Sequence, residues 1–355
     1  MKFMKRMIAL SLAVVMSTSL LVGCQTKASS KDNELSGASK QEQPKDKKDL
    51  TKIVISEFRG LTWSSVYVAY QNGFFQEEGL EPKFALYKDG PIAFQGMHGG
   101  DSQFCLLSQE PVLKAQQEGL ESQFIYTVVD TRLYGFVGAK DITNVSQLKG
   151  QAIFAGMPGS APYSFVSSIL SEAGLDPKKD VTFVNMDYSA SMSALNRGEI
   201  KASYINVDNR VEIKSMDVNI LVDTSKKEDA AKYLKSDIFP GEIICTTKKY
   251  AQENPTTLQA FVNAVSRGSE WMRSHSSEEI AKLISPLYEG ITVDVLTQKI
   301  DIIKNAITKT GEISKESETA VQNFCQNIGV IKEPIPYDNI VDMTYVNAYQ
   351  AKHKG

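Results

Sequence analysis

The sequence predicts an α/β fold of two lobes in series, and three observations carry that expectation. Apolar runs of strand length alternate with amphipathic runs of helix length, the pattern of a parallel sheet built from βαβ units. The alternation begins near Thr51 and restarts near Gln151. Beyond Tyr250 strand-like runs give way to helical periodicity. With 355 residues the chain is long enough for two domains of ordinary size.

In the first lobe "KIVISEF" (52–58) reads as a buried strand. The helix of "LTWSSVYVAYQNGFFQEEGLEP" (61–82) follows, with Val66, Ala69 and Tyr70 on one face and Gly73 closing it. "PKFALY" (82–87), "SQFCLLS" (102–108) and "SQFIYTVV" (122–129) are further strands, with "PIAFQGM" and "QEPVLKAQQEG" as the helices between them. The break between lobes falls in "VGAKDITNVSQLKG" (137–150). The second lobe repeats the scheme with strands "QAIFAG" (151–156), "VTFVNM" (181–186), "KASYINV" (201–207) and "NILVDT" (219–224). Its helices are "SAPYSFVSSILSEAG", "SMSALNRGE" and "NRVEIKSM". "EIICTTKKY" adds one strand, and Asn254 and Pro255 then open a helix as cap and first residue. Leu258, Phe261, Val262 and Val265 share one face of it, and Leu296, Ile300, Ile303 and Ile307 repeat the spacing. This tail has to pack back on one lobe.

Composition narrows the function. An apolar content of 42% and a charged content of 23% are those of a globular chain. A net charge of −3 gives no electrostatic reason to bind nucleic acid. Residues 1–23 read as a lipoprotein signal peptide: a basic "MKFMKR", an apolar "MIALSLAVVMSTSLLV", and "LVGC", which matches the bacterial lipobox and implies thioether lipidation of Cys24. Residues 24–50 hold no aromatic residue and have the composition of a flexible tether. Cys105, Cys245 and Cys325 lie far apart, with no CxxC and no His at ligand spacing, so no metal, cofactor or redox motif is expected. His98, His275 and His353 sit in no recognised constellation, and GxSxG, Walker A, GxGxxG and HExxH are absent. No catalytic residue is expected.

Open parallel sheets bind ligands beyond the carboxyl ends of their strands, where helices begin. Three junctions qualify: "RGLTWSS" with Trp63 and Ser64, "LLSQEP" with Ser108 and Glu110, and "AGMPGSAPYS" with Gly159, Ser160 and Tyr163. Each helix start offers unpaired N–H groups and about half a positive charge, a ready anion site. Asp130, Asp187 and Asp208 follow strands, as do Arg59, Arg132 and Arg210. Mixed charge with flat walls from Trp63, Tyr163, Tyr188 and Tyr204 suits a zwitterion or polar heteroaromatic better than a bare anion. Trp63 is expected to be a cleft wall rather than core.

"VYVAYQNGFFQEEGLEP" resembles the "yvA…GfF…eGL" signature of the SsuA/THI5-like (NMT1-like) solute-binding proteins of ABC importers. The likeness continues through "LLSQEP", the hinge strand "YGFVGAKD", "ALNRGEIKASYI", "TTKKYAQENP" and "SEWMRSHSSEEIAKLI", spanning nearly all of residues 52–290. It implies a type II periplasmic-binding-protein fold, two α/β lobes around a ligand cleft, with a two-segment hinge near 135–141 and 241–247. Lobe 1 would comprise 51–138 and 244–355, and lobe 2 would comprise 139–243. The resemblance also implies a non-enzymatic monomer, anchored through Cys24 at the extracytoplasmic face of the bacterial cell membrane. Such a protein delivers a small-molecule ligand to ABC permease and ATPase subunits. An aliphatic sulfonate or taurine-like zwitterion leads the expected ligands, with a thiamine-pyrimidine precursor or other heteroaromatic as the alternative and a THI5-like pyrimidine-synthesising enzyme as the third reading. The chain departs from the pyrimidine-binding branch in reading "LTWSSVYVAY" where that branch shows a "WxPNxxH"-like stretch, and it lacks the "CCCFC" motif of the pyrimidine synthases. Relatives often show a "WEP"-type sequence where it reads "NVDNR" (206–210).

Overall fold

A computed structural model of the chain describes residues 49–236 and 238–353. The expected signal peptide, Cys24 and nearly all of the expected tether lie outside the described residues. No helix among the described residues is long and apolar enough to cross a membrane.

Among the described residues ten strands form two five-stranded sheets. They are β1 (Thr51–Glu57), β2 (Leu80–Leu86), β3 (Phe104–Leu107), β4 (Ser122–Val129), β5 (Tyr134–Ala139), β6 (Gln151–Phe154), β7 (Val181–Phe183), β8 (Ala202–Asn206), β9 (Val218–Asp223) and β10 (Glu242–Thr247). The first sheet has the order β2-β1-β3-β10-β4 and the second β7-β6-β8-β5-β9. In the first, β1 runs parallel to β2 and β3, while the returning strand β10 runs antiparallel to β3 and β4. In the second, β6 is parallel to β7 and β8, and β5 is antiparallel to β8 and β9. Every residue of β3 and β5 is buried, as expected of strands covered on both faces.

The chain leaves the first sheet after Val129, enters the second at Tyr134, and returns between Asp223 and Glu242. The crossing segments are therefore 130–133 and 224–241, each ahead of the position read from sequence. "YGFVGA", expected as a hinge strand, is instead a central strand of the second sheet. A Cβ on Gly135 would stand 2.9 Å from Ile205 Cγ1, so glycine lets β5 sit close against β8.

The helical tail packs on the first lobe. Leu258, Phe261, Val262 and Val265 on the helix Pro255–Ser274 are all fully buried, and Phe261 stacks on Phe104 at 3.9 Å. Full burial of each such side chain contributes about 1.5–3 kcal/mol. Leu296, Ile300 and Ile303, from the helix Val293–Ile303, join the same core. That core also takes in Trp63 and, from the end of β8, Val207.

Candidate ligand-binding site

The carboxyl ends of β1, β2 and β8 and the amino ends of β5 and β10 face one cavity of about 410 Å³ between the two sheets. From the first lobe come Phe58, Arg59, Gly60, Thr62, Lys88, Asp89 and Glu242; from the second come Tyr134, Pro162, Tyr188, Tyr204, Asn206 and Glu212 among others. Antiparallel β10 brings its first residue, Glu242, to the edge where β1 and β2 end, so a residue distant in sequence completes the wall.

Three tyrosines give the cavity its flat surfaces. Tyr204 meets Tyr134 edge-on at 4.9 Å and Tyr188 at 5.9 Å. Glu242 lies beside them, 4% exposed, accepting hydrogen bonds from Tyr134 (3.2 Å) and Ser108 (2.9 Å). Burial pushes its carboxyl up to about 7, against the pull of Arg132 and the Ser108 hydroxyl. Behind it Arg132 and Glu110, both fully buried, form a two-bonded ion pair, with the guanidinium 4.8 Å from the Tyr134 ring centroid.

Polar contacts join the lobes on either side of the cavity. Asp89 caps the helix Gly90–Gly99 through Gly90 N (2.7 Å) and also accepts from Tyr188 Oη (3.3 Å) and Met157 N (3.4 Å) of the second lobe. Burial raises its carboxyl above the ordinary range, against the backbone donors of Gly90 and Met157. Lys88 pairs with Asp187 at 2.8 Å. Lys299, on the helix Val293–Ile303, reaches Asp208 (2.9 Å) and Glu212 (2.7 Å) of the second lobe. Arg59 Nη1 stands 3.4 Å from Glu57 Oε1, yet neither atom makes a hydrogen bond among the described residues.

Of the ten residues read from sequence as ligand-binding, Tyr188 lines this cavity and the others take supporting places. Trp63 is core: fully buried, it donates from Nε1 to Phe58 O (3.2 Å) and meets the Phe58 ring edge-on. The 3-10 turn Leu61–Trp63 rotates the indole inward and leaves Arg59, Gly60 and Thr62 as the wall. Ser64 is buried and donates back to Leu61 O. Ser108 and Glu110 stand behind the wall, bonded to Glu242 and Arg132. Ser160 caps the helix Ala161–Glu172, Gly159 supplies a φ of +89° before it, and Tyr163 turns away to Phe183, 4.5 Å off. Asp187 is exposed and Asp208 is held by Lys299. Sequence reasoning missed Asp89 and Glu242. "KDGP" carried the signal for the first, a cap followed by Pro at the helix start. Nothing local marks Glu242.

Two mixed α/β lobes that share a cavity at their facing strand ends define a periplasmic-binding-protein fold. The chain belongs to the NMT1/THI5-like family, whose model matches residues 62–279. It is 21% identical over 310 residues to the binding protein YtlA of Bacillus subtilis (strain 168), covering 84% of this chain and 90% of that one. It is also 21% identical to the formylaminopyrimidine-binding protein of Halalkalibacterium halodurans, covering 93% and 96%. Among solved structures the alkanesulfonate-binding protein SsuA of Xanthomonas axonopodis pv. citri, bound to MOPS, is similar with a TM-score of 0.67 at 13% identity, covering 83% of this chain and 99% of that one. The desulfurization enzyme DSZB shares the fold too, with a TM-score of 0.60 at 13% identity, covering 85% and 99%.

Proposed function

We propose that this chain is the extracytoplasmic, lipid-anchored solute-binding component of an ABC importer. It closes two lobes on a small organic ligand and presents the closed form to the permease. The observation that carries this reading is the cavity of about 410 Å³ walled from both sheets. A molecule held there touches both lobes, so it binds the closed form preferentially, and that difference in affinity is what drives closure. The volume is that of a small-molecule site. Although the fold also houses an enzyme, Cys105, Cys245 and Cys325 are buried outside this cavity, and His98 bonds to Ser122 away from it.

The chemistry of the wall favours the heteroaromatic or zwitterionic ligand over a bare sulfonate. Glu242 and Asp89 line the cavity without an ion-pair partner among the described residues, so they suit N–H donors. A sulfonate beside them would find acceptors in place of donors and, wherever these carboxyls are ionised, like charge. The Arg59 side chain, partly exposed at the cavity wall, suits an acceptor on the same ligand, and the tyrosines suit a flat ring. An amino-substituted heteroaromatic with an acceptor group meets all three demands.

Calorimetry and thermal melting of ligand-stripped protein test this with 4-amino-2-methylpyrimidine, taurine and ethanesulfonate. The pyrimidine is expected to bind and raise Tm, ethanesulfonate to do neither, and Glu242→Gln to weaken pyrimidine binding by roughly tenfold or more, the worth of a charge-assisted hydrogen bond. Tight binding of ethanesulfonate with none of the pyrimidine would overturn the ligand assignment.

A further inference from the structure

A second cavity of about 530 Å³ adjoins the first and shares three of its wall residues, Lys88, Asp89 and Tyr188. Its remaining wall is apolar apart from Gly156 and Asn185: Ile92, Met157, Pro158, Phe183, Val184 and Met186. Five of these, all but exposed Pro158, are half-buried, presenting apolar surface to one concavity. The Tyr188 side chain, through its bond to Asp89 Oδ2, stands between the two cavities. That bond, at 3.3 Å, and the Met157 N contact to the same carboxylate, at 3.4 Å, are both long. Room for the phenol exists because residue 156 is glycine, with φ +74°; a Cβ there would fall 2.2 Å from Tyr188 Oη.

We propose that this second cavity is an apolar subsite for the alkyl or aryl tail of the ligand whose polar head occupies the main cavity, with Tyr188 as the partition between them. The inference rests on the reading of the main cavity as the ligand site. Beyond the shared residues the subsite offers no charged group to anchor a polar molecule on its own. Continuity with the head site therefore identifies the occupant as part of the same molecule. Two thioethers, Met157 and Met186, let the wall adapt to tails of different shape.

The test is calorimetry with 4-amino-2-methylpyrimidine and its 5-propyl and 5-hexyl derivatives. It is run on the unsubstituted protein and on the half-exposed single variants Ile92→Ser and Met186→Ser. On the unsubstituted protein affinity is expected to rise roughly two- to fourfold per methylene, as apolar burial requires. In both variants the rise is expected to shrink while the parent pyrimidine binds as before. A parent that binds without any gain from its tail overturns the subsite and leaves the head site standing. A gain that survives both substitutions also overturns it, because the tail then lies elsewhere. A parent that fails to bind the unsubstituted protein overturns the reading of the main cavity, and the subsite with it.

Discussion

Glu242 and Glu318 show how far burial shifts a single side chain. Each carboxyl is pushed from an ordinary 4.5 up to about 7 by loss of water, with hydrogen-bond donors opposing the shift only in part. Glu318 has one donor, Gln322 Nε2 at 2.9 Å, and its second oxygen has no partner among the described residues. A carboxyl with a raised folded-state pKa contributes its stability in full below 4.5. That contribution is lost as pH rises through 7 and is level above it. Glu318→Gln, permanently neutral, is thus expected to be more stable than the parent at pH 8 by roughly 3 kcal/mol, with the gap closing by about pH 4.5. Urea unfolding at pH 4.5, 6 and 8 measures this, and a gap that ignores pH would count against it. The residue scale is also where sequence reasoning failed most plainly. Trp63 stood at a strand end where clefts form, but one 3-10 turn decides which way an indole points, and no periodicity encodes that turn.

Helices were legible wherever one face is apolar over several turns. Leu258, Phe261, Val262 and Val265 are buried as their spacing requires. The helix Lys227–Tyr233 went unread because "KEDAAKY" is short and mostly polar. Packing between elements sets a second prediction. Gly268 on the helix Pro255–Ser274 faces the helix Ser64–Gln71 so closely that a Cβ would lie 2.1 Å from Ser65 O. Helix propensity alone favours alanine over glycine by about 1 kcal/mol, but here a backbone carbonyl blocks the methyl group. Overpacking wins, and Gly268→Ala is expected to destabilise by roughly 1–3 kcal/mol. Exposed Gly99, with nothing within 4 Å of a Cβ, is the control: Gly99→Ala should leave Tm unchanged or slightly raised. Equal behaviour of the two variants would refute the close-approach argument.

At the scale of the whole molecule, two lobes could be read from a pattern that restarts, whereas the cavity wall could not. Its residues meet only because β10 enters the first sheet between β3 and β4 in the reverse direction. The same return of the chain sets how the lobes are joined. Val207 lies in the first lobe's core and donates from its N–H to Leu133 O, and next to it Lys299 reaches Asp208 and Glu212. Lys299 is 4% exposed and Asp208 is 7% exposed, so removing one partner strands a buried charge rather than releasing it to water. Lys299→Met is therefore expected to destabilise by about 3–5 kcal/mol. Asp208→Asn is expected to cost less, because burial already raises that carboxyl and so eases its neutralisation, against the pull of Lys299. The double variant removes both charges together and should be more stable than the sum of the single losses predicts, by at least about 1 kcal/mol. A double-mutant cycle by denaturant unfolding decides the matter. Losses that add to within about 0.5 kcal/mol would mean that the buried pair does not couple the lobes, and that apolar contacts around Val207 hold them instead.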